Sequence, residues 1–303
     1  MRLPDFVVIG AQKSASTFLA DQLGARQDVY VSKLEIPYFE HPFFTHTPLN
    51  ELGKVGAEVG AGVRYGIKRA DYLARPEVPE NLFSVIPGAQ LIAVLRPPVQ
   101  RAVSGAYWYM LHGFLPVRPL NDTLLGLLNT WHSGIRDRST EVLSYGMYGE
   151  SLARWMGHFP SQSLVAIDSR TLSEESSWHR LEQHLALDPA PRPDGEVVRS
   201  NPGVYDPARL RLLRLRAPLV YDWSKDERFQ YRDRPFAYRP IRTTIAKVPT
   251  LLDRFVVRRF SDSGPEALTP EVEERLTDLY QSDLELLIEV AGVDLRDAAK
   301  RST

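Results

Sequence analysis

The sequence predicts an α/β fold, with a largely parallel central sheet and helices on both faces. Three observations carry this expectation. Short apolar runs recur at Phe6–Ile9, Gln90–Leu95 and Ser163–Ile167, the length and character of strands buried on both faces. Segments of helical period alternate with them. The first two runs each end in a short turn that opens onto a helix.

Taken in order, the first strand is followed by a helix over about Ser16–Gly24 and a short strand over Asp28–Val31. Ser32 to Pro42 then reads as a charged loop, and the glycine-rich residues 45–62 as an exposed excursion. Tyr65–Leu73 suits a strand edge and turn, and Glu80–Val85 a helix. After the Gln90–Leu95 strand, Arg96-Pro-Pro98 forces an extended exit before a helix over Val99–His112. Leu120–Trp131 is helical, and Thr140–Leu143 begins another helix. Leu152, Trp155 and Phe159 form an apolar stripe along a helix that starts near Glu150. The third strong strand follows, then a helix over Ser176–Leu185. Thr269-Pro-Glu signals the start of a last helix: an N-cap, proline at the first position and early acid. That helix runs to Gly292.

The 303 residues are read as one domain spanning 1–303, with a less regular arginine- and aromatic-rich segment at about 190–264. Arg209–Arg216 and Phe229–Arg239 stand out there as amphipathic helix mixed with loop, the arginines snorkelling, with base stacking on a nucleic acid and part of an acceptor wall or partner surface as other readings. The apolar and charged fractions, 43% and 25%, are those of an ordinary soluble globular chain. A formal net charge of -1 argues against a nucleic-acid partner. The chain has no cysteine, which excludes disulfides and cysteine-ligated zinc. Strand-forming residues follow Met1–Asp5 at once, and no run reaches bilayer-spanning length. The expectation is a cytoplasmic protein with no membrane span; its oligomeric state is not legible.

Two turns carry the chemistry. In the first, Gly10 is followed by Lys13 and the hydroxyls of Ser14, Ser16 and Thr17 at a helix start. Unpaired amides and the positive end of the helix dipole make such a turn an anion cradle. It lacks the second glycine of a Walker A loop, so taken alone it fits an ordinary turn with a solvated lysine equally well. In the second turn Arg96 ends a strand, and Arg101 and Ser104 lie one helical turn apart just beyond it. Guanidiniums at the carboxyl edge of a parallel sheet suit a second anion. The Ser32–Pro42 loop adds Lys33, Glu35, Glu40 and His41 beside Tyr38 and Phe39, a setting in which a general base can be tuned.

The pairing of Gly10-Ala-Gln-Lys-Ser-Ala-Ser-Thr17 with Leu95-Arg-Pro-Pro-Val-Gln-Arg-Ala-Val-Ser104 resembles the PAPS-dependent sulfotransferases, most closely the heparan-sulfate-sulfotransferase-like and bacterial branch. Lys33–Phe39, Gly66–Leu73, Tyr148–Pro160 and the helix ending at Gly292 echo it. The resemblance implies a three-layer P-loop-like fold and 3′-phosphoadenosine 5′-phosphosulfate (PAPS) as cosubstrate, with PAP as product and no metal. It implies a hydroxyl acceptor, on a glycan or a small molecule. Lys13, Ser14, Ala15, Ser16 and Thr17 stand where the family holds the 5′-phosphosulfate, and Arg96 and Ser104 where it holds the 3′-phosphate. Glu35 stands at the family's general base and Lys68 at a lysine near the transferred group; His41 is the alternative base. The chain departs from the pattern at Ala15, where glycine is usual, and at Leu34, Pro37 and Ile67. A P-loop kinase, or a non-catalytic PAP-binding module, are the alternative readings of the same turns.

Overall fold

The computed structural model describes residues 2–33, 35, 37–41, 43–46, 50–190, 203–223, 229–231, 239–255 and 264–296. In chain order the elements are β1 (Phe6–Gly10), α1 (Ser16–Gly24), β2 (Val29–Val31), α2 (Phe43–His46), α3 (Asn50–Ala57), β3 (Arg64–Lys68), α4 (Val78–Val85), β4 (Gln90–Leu95) and α5 (Pro98–His112). They continue with α6 (Leu120–His132), α7 (Glu141–Ser144), α8 (Tyr148–Met156), β5 (Leu164–Asp168), α9 (Glu175–His184), α10 (Pro207–Arg214) and α11 (Ala217–Val220). The last are β6 (Tyr221–Trp223), β7 (Phe229–Tyr231), α12 (Arg239–Phe255) and α13 (Pro270–Ala291).

Two compact units emerge: residues 1–101, 145–201 and 278–303 in the first, 102–144 and 202–277 in the second. The first holds a five-stranded sheet in the order β2-β3-β1-β4-β5, parallel throughout. The expected α/β fold is therefore what forms. Phe6 to Ile9 and Leu91 to Leu95 are fully buried, as their unbroken apolar runs require. Phe6, Val8, Ile92, Val94, Val165 and Ile167 pack one face of the sheet against Phe18, Leu19 and Leu23 of α1 and Trp178 and Leu181 of α9. Gly66 of β3 lets the Phe6 ring lie flat on the sheet, since a Cβ there would fall 2.1 Å from the ring.

The register sets the site. Val8 pairs with Lys68 and Gly10 with Ala93, so β1, β3 and β4 end at one edge of the sheet, with β1 between the other two. Chain connections change direction at β1, and ligands of open α/β sheets bind at such a switch point.

Two expectations change. Residues 50–57 form a helix, not an exposed excursion; 47–49 lie outside the described residues. Gly53 and Gly56 are buried, and a Cβ on Gly56 would meet the Arg2 carbonyl at 2.2 Å. Glycines that suggested a loop serve here for close backbone approach. α8 starts at Tyr148, earlier than the apolar stripe indicates. The Asp283 carboxylate of α13 accepts from the amides of Gly149 and Glu150, both at 2.9 Å, and so caps α8 from far along the chain.

In the second unit, α10 is amphipathic as expected, with Leu210 and Leu213 buried and Arg211 exposed. The Asp206 side chain caps it through the Arg209 amide at 2.9 Å. Arg209 then grips Asp253 of α12 with two bonds, 2.8 and 2.9 Å. β6 and β7 form a short antiparallel pair. Of the basic aromatic stretch at 229–239, residues 232–238 lie outside the described residues. No described helix is long and apolar enough to cross a membrane.

Candidate active site

The β1–α1 turn is tightly wound. Lys13 and Ala15 both sit at positive φ, 66° and 69°, a region L-residues other than asparagine and aspartate seldom enter. Ala15, where glycine is usual, is the N-cap of α1 in that conformation and is exposed. Ser14 and Ser16 are buried and Thr17 half-buried. The Ser14 amide donates to the Ala11 carbonyl at 3.3 Å, while the first amides of α1 have no partner within their own helix.

Lys13 is the cation of this turn. Burial, with the neighbouring Arg101 and Arg96 guanidiniums acting in the same direction, lowers its pKa to about 8. Three like charges therefore share one region, two of them delivered by the turn after β4. Arg101 is fully buried; it donates to the Gln12 side-chain oxygen at 3.5 Å and lies over the Tyr145 ring. Arg96, half-buried, donates to Gln100 at 3.4 Å. The structure thus brings both expected anion turns together. Ser104 follows Arg101 by one turn of α5, is half-buried, and belongs to the second unit.

A second cluster meets the same helix start. Lys68, at the end of β3 and buried, donates to Thr17 Oγ1 at 2.8 Å and forms an ion pair with Glu35. Glu35 is exposed, and Arg69 approaches its other oxygen at 3.8 Å. Glu40, from the same loop, is buried and held by two bonds from Arg69, 2.7 and 3.1 Å. Burial pushes its carboxyl up, and Arg69 pulls it back. Glu40 is thereby tied into the frame, while Glu35 keeps an open side. His41 is exposed, and its backbone amide donates to Glu77 at 3.2 Å.

Two residues were not singled out in the sequence. Gln12 donates to Asp71 at 3.0 Å while accepting from Arg101, so it links the first turn to both neighbouring strands' loops. Tyr148, fully buried at the start of α8, shares a 3.4 Å hydrogen bond with Ser14 and also meets the Arg96 backbone. Burial raises its hydroxyl pKa, so it stays neutral. Gln12 had a signal, its place beside Lys13; Tyr148 opens the Tyr148–Pro160 stretch of the resemblance, but at 134 residues from Ser14 nothing local points to their contact.

An anion with negative charge at two separated points suits these donors: one lysine and helix amides at one turn, arginines at the next. Among the described residues, no cluster of three histidine or acidic side chains could hold a metal ion.

No family model matches the chain. Among curated proteins, the bifunctional heparan sulfate N-deacetylase/N-sulfotransferase 1 of Caenorhabditis briggsae is 28% identical over 223 residues, covering 62% of this chain and 24% of that protein. The mouse heparan sulfate glucosamine 3-O-sulfotransferase 3B1 is 26% identical over 188 residues, 61% of this chain and 47% of that one. The match thus spans between a quarter and half of these relatives' length. Among solved structures, a sulfotransferase from Alicyclobacillus acidocaldarius superposes with a TM-score of 0.65 at 15% identity, covering 97% of this chain and 98% of that one, which shows a shared fold.

Proposed function

We propose that this chain, which is related to the PAPS-dependent sulfotransferases, moves a sulfuryl group from PAPS to an acceptor hydroxyl on a glycan or small molecule. One observation carries the reading. A half-buried lysine among arginines and a Lys68–Glu35 pair both meet the first turn of α1. The first suits a doubly anionic nucleotide; the second sets a carboxylate beside it.

When bound, PAPS supplies the activated sulfuryl group and PAP as its leaving group. Lys13 and the amides of Ser14, Ala15, Ser16 and Thr17 hold its 5′ end, and Arg96 its 3′-phosphate. Lys13 neutralises negative charge at the leaving phosphate oxygen. Because it is largely withdrawn from water, its charge acts at a low effective dielectric and needs little reorganisation. Glu35 takes the proton of the acceptor hydroxyl. Lys68 orients Glu35 through their ion pair, and Thr17 fixes the Lys68 ammonium in turn. Gln12 and Tyr148 hold the two anion turns in register. Two lysines and two arginines supply the positive charge, so the scheme calls for no metal.

The test is transfer of sulfur-35 from labelled PAPS to pooled acceptors: glycans, phenols and hydroxylated lipids. Label should appear in at least one pool and vanish with Glu35→Gln. Tight PAP binding with no transfer to any pool, and no slow hydrolysis of PAPS, would make the chain a binding module instead.

A further inference from the structure

α12 turns an apolar ridge to solvent. Val248, Leu251, Leu252 and Phe255 are 49%, 50%, 46% and 56% exposed. Their spacing, three, four and seven residues on from the first, puts them on one face of the helix. The opposite face is anchored: Pro249 and Asp253 are buried, and Asp253 takes both bonds from Arg209. Apolar residues scattered singly over a surface need no explanation, but four in one stripe do.

Charge says what the ridge meets. Lys247 and Arg254 are exposed along one flank of it. By sequence, α12 also carries Arg239 and Arg242. Its one acid is Asp253, whose charge Arg209 already answers. The whole chain carries a formal charge of -1, so this is a local concentration of positive charge. A second copy of the chain would set the same positive flank against itself. A cationic helix of 17 residues, too polar to span a membrane and with leucine, valine and phenylalanine on one side, has the make-up of a helix that lies in a bilayer interface.

We propose that α12 docks this protein on anionic lipid surfaces, with Val248, Leu251, Leu252 and Phe255 inserted among the headgroups and the basic flank against lipid phosphates. The ridge and the flank act together: burial of the apolar face gives attachment, and the basic residues give selectivity for anionic lipid.

The experiment is co-sedimentation of the full chain with vesicles of phosphatidylcholine alone, or of phosphatidylcholine with phosphatidylserine. Partitioning should be at least about tenfold stronger on the anionic vesicles, since several basic residues approach the surface, and should fall as salt is raised. The double substitution Leu251→Asp, Leu252→Asp should cut binding at least about tenfold. Both positions are exposed, so the melting temperature and its shift with PAP should stay as in the wild type. No preference for anionic vesicles, or equal binding by the double variant, would overturn the proposal. So would sedimentation velocity showing a lipid-free wild-type dimer that the variant disperses, which would assign the ridge to a second copy.

Discussion

The β1–α1 turn and α12 are both cationic, and they use positive charge in opposite ways. At the turn, Lys13 is mostly withdrawn from water and sits near two arginines, in a backbone held at positive φ twice within three residues. On α12, Lys247 and Arg254 are solvated beside an apolar ridge. Withdrawn charge costs stability in the empty protein and yields strong, directional binding when an anion arrives. Solvated charge costs little and yields attraction that is weak per residue, collective and screened by salt. The contrast separates the site proposed to do chemistry from the surface proposed to dock on lipid.

The largest expected effect is at Glu35, the carboxylate that Lys68 holds. Glu35→Gln should lower kcat by about 10²–10⁴, the usual worth of a general base, with PAP affinity little changed. If Glu35→Gln turns over normally while His41→Ala does not, the base is His41. Lys13→Met should follow, with a loss of about 10²–10³ in kcat, as for removal of one preorganised donor, and weaker PAP binding as well. Neither substitution should alter vesicle binding, because neither residue is part of α12.

The depressed pKa of Lys13 has a pH signature. Its ordinary value lies near 10.5 and its folded value is about 8. Below pH 8 the lysine is protonated folded or unfolded, and the full cost of its burial is present. Between about 8 and 10.5 the unfolded chain binds more protons, so stability from this group rises with pH. A bound anion reverses the shift, since it favours the charged ammonium. PAP binding should therefore take up protons near pH 8.5, and affinity should fall as pH rises through and above 8. Calorimetry in buffers of different ionisation enthalpy reads this directly. Uptake that persists in Lys13→Met would assign it elsewhere.

The smallest effect concerns strain. Ala15 holds φ at 69° as the N-cap of α1. Glycine there removes a left-handed penalty of about 1–2 kcal/mol and adds back up to about 1 kcal/mol of chain entropy. Ala15→Gly should raise the melting temperature by about 1–3 °C. A fall would show that the turn is not strained at this residue.

The sheet and the placement of its two candidate anion turns were legible because their signals are local. Phe6–Ile9 and Leu91–Leu95 are buried on both faces and read as unbroken apolar runs. Lys13, Arg96 and Arg101 each follow such a run by a few residues. What was not legible depends on contacts remote in sequence. Asp283 caps α8 across more than a hundred residues. Gly53 and Gly56 look like loop residues until α3 is seen packed against the Arg2 backbone. Tyr148 is read only as the start of a stretch shared with the family, and folding brings its hydroxyl to Ser14. The charged loop and the resemblance pointed to Glu35, and the resemblance alone to Lys68, but nothing in the sequence shows that this strand end and this loop meet as an ion pair.

The central claim is that the two turns form one site for a nucleotide anionic at both ends. Its most direct measurement is calorimetry of the wild type with PAP and, separately, with ATP and Mg²⁺. PAP should bind at least about tenfold more tightly, the worth of one charge-assisted hydrogen bond to the 3′-phosphate, and Arg96→Ala should erase that preference. Equal or tighter binding of ATP with Mg²⁺, or a PAP preference that survives Arg96→Ala, would contradict it.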